Sequence, residues 1–297
     1  MQKNTIQLRG GLLINKPKGI TSHDVIYKLR NIPQLDGVKI GHSGTLDPFA
    51  TGVLLVLLGG AVRLQDELHL LPKTYTAEIT LGAISDTDDV AGNLQSAEIL
   101  HKPSQEDIAQ ALDAIKHQTT QIPPAYSAIK LKGKKMYEYA RKGEIVEQKP
   151  RKITIHEITL LDYSYPILKI SVTCSTGTYI RSIARDIGEL LRTGGYCSQL
   201  ERTAIGNFAI QKSVQLESIP ENINSVLISL EQLTEHLASI SFNDSNVAKL
   251  KTGREVEIPE KIPLNTPIAL KSQKSLVFGI GMRPTKAPFI IPKKIFL

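Results

Sequence analysis

The sequence predicts a mixed α+β sheet protein with a small, β-rich C-terminal region. Three observations carry that expectation. Apolar residues alternate at the strand period over 74–81 and 167–174, and they recur at the helical period over 108–115 and 180–191. Strand candidates outnumber helices without strict βαβ alternation. The chain has 297 residues, enough for two compact domains or one large domain with an appendage. With 41% hydrophobic and 22% charged residues it is neither a disordered polyelectrolyte nor a coiled coil or disulfide scaffold.

Gly11 to Asn15 is a short apolar run closed by Pro17 and Gly19, which reads as a strand entering a turn. Thr21 or Ser22 caps a helix through Ile32, with Val25, Ile26, Leu29 and Ile32 on one face. Gly41 to Gly52 has no apolar period and is a loop, and Val53 to Leu58 behind it is a fully buried strand. Leu64, Leu68 and Leu71 recur at helical spacing. Tyr75, Ala77, Ile79 and Leu81 alternate with polar residues as one half-buried strand. Ser104 with Asp107 opens a helix carrying Ile108, Leu112 and Ile115. Residues 152–162 and 167–174 are strands, and Ile180 to Leu191 is a strongly amphipathic helix stopped by Gly194-Gly195. Asn222 to Thr234 is helix-like, and from about Ser239 onward short β-like runs are separated by Gly253, Pro259, Pro263, Pro267, Gly279 and Pro284.

Charge gives the first functional hint. Against 29 acids, 36 Lys and Arg leave a net +7. Nine basic residues and three glutamates between Lys130 and Lys152 place +6 of it in one segment, with Tyr126, Tyr137 and Tyr139 in or beside the run. That pattern suits a polyanion, although a lysine-rich run is also an ordinary solvated surface. The longest aliphatic run is six residues, Val53 to Leu58, against about 20 for a membrane span. The N-terminus lacks the apolar core of a secretory signal, so a cytoplasmic location is expected. Cys174 and Cys197 are expected as buried thiols. No metal and no cofactor is expected. Asp86-Thr-Asp88-Asp89 lacks the Gly and Glu of a calcium loop where Ala91 and Ala97 stand, and Gly279-Ile-Gly281 lacks the third glycine of a dinucleotide fingerprint. The Asp86 segment reads instead as a polar loop.

The informative stretch is Gly41-His-Ser-Gly44-Thr-Leu-Asp47-Pro-Phe-Ala-Thr-Gly52. Its glycines permit close backbone approach, and Pro48 stiffens the chain after Asp47, so the carboxylate is presented before a buried strand. Taken alone, such a Gly-rich turn is more often only a turn.

The run His42 to Leu54, with Gly11-Leu-Leu-Ile-Asn-Lys16-Pro17-Lys-Gly19-Ile-Thr-Ser22 upstream, resembles the TruB family of tRNA pseudouridine synthases, which isomerise uridine 55 of the T loop. Lys73-Thr-Tyr75, Asp86-Thr-Asp88 with Gly92, Pro123-Pro-Ala-Tyr126-Ser-Ala-Ile-Lys130, Thr176-Gly-Thr-Tyr179-Ile-Arg181-Ser182 and Leu200-Glu-Arg202-Thr203 continue the pattern in order, from residue 11 to 206. The resemblance implies an α+β catalytic domain with a mixed, mainly antiparallel sheet over 1–236, an RNA-gripping insertion at about 123–152, and a PUA-like RNA-binding domain over 237–297. It implies Asp47 as the essential carboxylate, Tyr75 as the ring that stacks on the uracil and serves in proton removal, and Arg181 as the partner of Asp47. Leu200 would pack at the pocket and His42 would contact RNA. Tyr126, Tyr179, Lys130, Lys132, Lys134, Lys135 and Lys142 would bind RNA, and Lys16 with Pro17 would support the site. The expected partner is the T-arm of tRNA, bound by a monomer.

These residue types suit the chemistry. Breaking the C1′–N1 bond develops positive character at the sugar, as in glycoside cleavage, and a carboxylate can stabilise or trap it. A neighbouring guanidinium favours the ionised form against desolvation. Whether Asp47 attacks C1′ or C6, or promotes a glycal, stays open. Two other classes compete: a noncatalytic RNA-binding or chaperone protein of the same fold, and a nucleoside glycosidase. The second would need an acid carboxylate that the motifs do not offer.

Overall fold

The computed structural model describes residues 8–99, 101–127, 130–131, 134–136, 139, 148–259, 262–284 and 288–296. Among these, the main sheet has nine strands, and its order runs Ile155–Ser164, Ile167–Cys174, Lys73–Leu81, Gly195–Ile205, Thr51–Leu58, Gly10–Lys16, Val214–Gln215. Ile40–His42 pairs with Thr51–Leu58, and Phe208–Ala209 with Gly195–Ile205. Most pairs are antiparallel; Thr51–Leu58 with Gly195–Ile205 and Gly10–Lys16 with Val214–Gln215 are parallel. This is the mixed α+β architecture that the periodicities predict.

Val53 to Leu58 are all fully buried because their strand lies inside the sheet and is covered on both faces. One apolar cluster joins Leu13, Leu55, Leu57, Leu64 and Leu68 to Val277, Ile280 and Phe296, so the C-terminal sheet shares a core with the main one. Another packs Ile183, Ala184 and Ile187 of the helix Ile180–Leu190 with Ala77, Ile79, Leu168 and Ile170 of the sheet. Gly188 and Gly195 bring that helix tight onto its neighbouring strand: a Cβ on Gly188 would run into the backbone of Gly194 and Gly195.

The helix Ser22–Arg30 is capped by Thr21, which forms a reciprocal box with Asp24, and Ser104 does the same with Asp107 for Gln105–Lys116. Elsewhere the structure departs from expectation. Leu64 ends a 3-10 turn, Gly59–Leu64, and only Gln65–His69 is α-helical. Asn222 to Thr234 holds a 3-10 turn and a single helical turn, Leu230–Leu233. Gly195–Ile205 is a strand of eleven residues in the middle of the sheet, which its polar content hid. The C-terminal region is a five-stranded sheet, but Asp244–Lys251 is a helix capped by Asn243, a local signal outweighed by the β-like texture around it. Cys174 and Cys197 are free and buried. Among the described residues, no helix is long and apolar enough to cross a membrane.

Candidate active site

Asp47 sits in the loop between Ile40–His42 and Thr51–Leu58, and that loop is pinned from several sides. Leu46 N donates to Ser22 Oγ at 2.8 Å, Ser43 N to Leu55 O at 3.0 Å, and Gly19 N to Pro48 O at 2.8 Å. Fully buried Lys16 directs its ammonium to the carbonyls of Pro17 (2.9 Å), Ile20 (2.8 Å) and Pro48 (3.4 Å). Burial lowers this ammonium to about 8, with Asp47 pulling the other way. Lys16 thus ties the first turn, through the Pro17 and Ile20 carbonyls, to the loop at Pro48. Gly52 closes the loop at φ +100°, where a Cβ would strike the Arg202 backbone.

Arg181 meets this loop from the first turn of the helix Ile180–Leu190. Its Nε lies 2.9 Å from Asp47 Oδ2 as an ion-pair contact without hydrogen-bond geometry, and Nη2 donates to Asp47 Oδ1 at 3.2 Å, so the carboxylate is held at two points, one of them by charge alone. The rest of the fork is also engaged: Nη1 lies 3.0 Å from Asp89 Oδ2 and donates to Thr87 O at 3.0 Å, while Nη2 donates to Tyr126 O at 3.1 Å. Arg181 is 5% exposed and Asp47 35%, so the guanidinium is sealed inside while the carboxylate still faces an opening. Burial raises the Asp47 carboxyl above its ordinary range, with Arg181 opposing and Asp89 adding to the rise. Of the two opposed influences that the residue types imply, desolvation is the larger.

The helix start is itself clasped. Gln121 Nε2 donates to Tyr179 O at 3.0 Å and Tyr179 N donates to Gln121 Oε1 at 2.9 Å, which docks the 120–127 segment on Arg181. Tyr179 therefore stands beside Asp47 and Ser127, and Tyr126 contributes its carbonyl to Arg181. Tyr75 lies in the strand next to Gly195–Ile205, and burial raises its phenol while Arg202 works the other way. His42 is half-buried, with Nδ1 lacking any partner among the described residues; burial and then Arg202 lower its imidazole below the ordinary range. Leu200 lines a cavity of about 290 Å³ with Phe49, Thr51 and Ala77. Neither this cavity nor a larger one of about 690 Å³, between the helices Gln105–Lys116 and Ile180–Leu190, is lined by Asp47, Tyr75 or Arg181.

The structure thus gathers Asp47, Arg181, Tyr179, the Tyr126 carbonyl and the Lys16 turn around one loop. Lys130–Leu131 and Lys134–Lys135 form a small two-stranded ladder, and Lys132 and Lys142 lie outside the described residues. Asp89, in the sequence only part of a polar loop, is 5% exposed and holds the far side of Arg181. Next to it, Asp88 meets Arg185 Nη1 at 2.9 Å, and burial lifts Asp88 to about 6. Arg202 belongs to the Leu200-Glu-Arg202-Thr203 motif, whose sequence gives it no distinct role. It is 1% exposed and donates to Val53 O, Gly44 O and Thr45 O at 2.8, 3.0 and 3.4 Å. Among the described residues no three His, Cys, Asp or Glu side chains are placed to hold a metal ion.

Residues 30–180 match the model of the TruB family pseudouridylate synthase N-terminal domain. A tRNA pseudouridine synthase B of Clostridium tetani is 38% identical over 290 residues, covering 96% of this chain and 99% of that protein. One of Geobacillus thermodenitrificans is 36% identical over 301 residues, covering 97% and 99%. A chain in the crystal structure of a Cbf5-Nop10-Gar1 complex superposes with a TM-score of 0.76 at 25% identity, covering 97% of this chain and 85% of that one.

Proposed function

The chain belongs to the TruB family of pseudouridylate synthases, and we propose that it isomerises uridine to pseudouridine at position 55 in the T loop of tRNA. The observation that supports this reading best is the Asp47 carboxylate held at two points by buried Arg181 while remaining open on its other side. The reaction breaks C1′–N1, turns the uracil, forms C1′–C5 and moves the C5 proton to solvent or N1, so atoms balance without a co-reactant. The target nucleotide leaves its stack at a cost of a few kcal/mol. Asp47 meets the sugar or base, Tyr75 faces the extruded uracil, and Leu200 closes the pocket. His42, Tyr126 and Tyr179 border the loop strand, where bases are read by stacking and edge contacts. The five-stranded C-terminal sheet serves as a PUA-like RNA-binding module, and the protein acts as a monomer on the T-arm. Incubating purified protein with unmodified tRNA and mapping pseudouridine tests the reading: modification at position 55 supports it, and binding without modification favours a chaperone of the same fold.

Two further outcomes follow from charge. Neutralising Lys132, Lys134, Lys135 and Lys142 together should weaken tRNA binding and flatten its salt dependence, with the rate at saturating RNA little changed. Each lysine that touches a phosphate of single-stranded RNA contributes about 0.7 to the slope of log K against log[salt], so four contacts remove roughly 2 to 3 units. An unchanged slope in a salt titration would place the RNA elsewhere, across the C-terminal sheet.

The single-turnover rate should also fall at acid pH, because the carboxylate is the reactive form and burial raises the pH at which it takes up a proton. The midpoint should lie above 3.8, the ordinary Asp value. Asp88→Asn separates this from the titration of Asp88 at about 6. A midpoint below 3.8 would mean that Arg181 outweighs burial.

A further inference from the structure

Arg202 is a buried cation to which the reaction above gives no task. Its donors are directed to three main-chain carbonyls, those of Val53, Gly44 and Thr45, and among the described residues it makes no ion pair with a carboxylate. Carbonyl dipoles offset a full charge only in part, so holding a guanidinium here costs free energy. Two of the three carbonyls lie in the Asp47 loop, two and three residues before the carboxylate. The side chain also looks the other way. Arg202 stands directly opposite Tyr75 in the antiparallel register of Lys73–Leu81 with Gly195–Ile205, and directly opposed residues put their side chains on the same face of a sheet. The other strand beside it brings the Gly52 end of the loop into parallel register with Arg202.

We propose that Arg202 is a positioning residue for the isomerisation: its guanidinium joins the Asp47 loop to the Tyr75 side chain and keeps carboxylate and ring at one separation while the uracil turns between them. The inference rests on the uridine isomerisation assigned above. A detached base must be recaptured through a different atom, so small displacements of the flanking groups cost rate without costing RNA affinity. Arg202 is also the foremost charge opposing the burial of the Tyr75 phenol, as a tie between the two side chains requires.

The test uses the full-length protein with Arg202→Lys, which keeps the charge without the fork, and Arg202→Gln, which loses the charge. Turnover of unmodified tRNA gives kcat and KM. Tyrosine labelled with ¹³C at Cζ reports the Tyr75 phenol titration by NMR, with Tyr75→Phe identifying its resonance. In both variants kcat should fall by roughly ten- to a hundredfold, the effect of one lost charged hydrogen bond, with KM within about threefold. The Tyr75 midpoint should move upward in Arg202→Gln. Both changes together support the proposal. A fall in kcat with Tyr75 unmoved, a moved Tyr75 with kcat unchanged, or a rise in KM at constant kcat each overturns it, and failure of both variants to fold assigns Arg202 to the fold alone. If the wild-type protein forms no pseudouridine, the functional reading fails, and the Tyr75 titration still decides whether Arg202 addresses that side chain.

Discussion

Asp47→Asn is expected to abolish turnover while tRNA affinity stays within several-fold of wild type and the fold is retained. The amide is the same shape, and its Oδ1 can still accept the Nη2 hydrogen bond that Arg181 makes at 3.2 Å. Arg181 is not left without an anion, because Asp89 remains 3.0 Å from Nη1. Relief of a carboxylate whose ionised form burial disfavours is offset where the amide nitrogen meets Arg181 Nε, donor against donor, in place of Oδ2 at 2.9 Å, so the melting temperature should fall slightly at most. The dominant loss is chemical. An amide can neither trap nor stabilise developing charge at the sugar as an anion does, and losing one catalytic group typically removes about four or more orders of magnitude in rate. Single-turnover assays with saturating enzyme are the measurement, and a substantial residual rate would dismiss Asp47 as the catalytic group.

Arg181→Ala should be nearly as severe in rate and much more damaging to stability. It strands Asp89, which is 5% exposed, together with the Thr87 and Tyr126 carbonyls that Arg181 now satisfies. Breaking a buried pair from one side costs about 3–5 kcal/mol. Arg181→Lys is the more informative variant, since an ammonium can reach one carboxylate but cannot span Asp47 and Asp89 as the fork does. It should fold, bind tRNA normally and lose kcat. Wild-type single-turnover rates in Arg181→Lys would refute the idea that the two-point grip on Asp47 matters, and a normal melting temperature in Arg181→Ala would refute the buried network.

The difference between these two residues shows how far the sequence could be read. The presentation of Asp47 was legible because its surroundings are local: three glycines and a proline within twelve positions place a carboxylate on a stiff turn, although only the family resemblance raises it above an ordinary turn. Arg181 was promoted only by the family pattern, for by itself it is one more basic residue on an amphipathic helix, and it lies 134 positions from Asp47. Asp89 passed for part of a polar loop because nothing nearby in the chain announces that its side chain turns inward. Arg202 was hidden by the same cause that hid its strand: a sequence running Ser, Gln, Leu, Glu, Arg, Thr does not alternate, because its charged residue is buried by a partner loop and not by apolar neighbours.

By itself the sequence determined the elements whose signals reside in adjacent residues: the buried run Val53 to Leu58, the alternation around Tyr75, the caps at Thr21 and Ser104, and the signature loop. Periodicity and turn chemistry act over one or two turns of chain, so a reader of the chain can see them. The tertiary structure alone decided that Lys16, Arg181 and Arg202 converge on one loop, that desolvation outweighs Arg181 in setting the Asp47 carboxyl, and that Asp244–Lys251 is helical within a β region. Convergence of that kind depends on strand pairings and helix packing between segments more than 100 residues apart, as with the 158 positions separating Arg202 from Gly44. The burial that shifts a charge likewise exists only once those segments have closed around it.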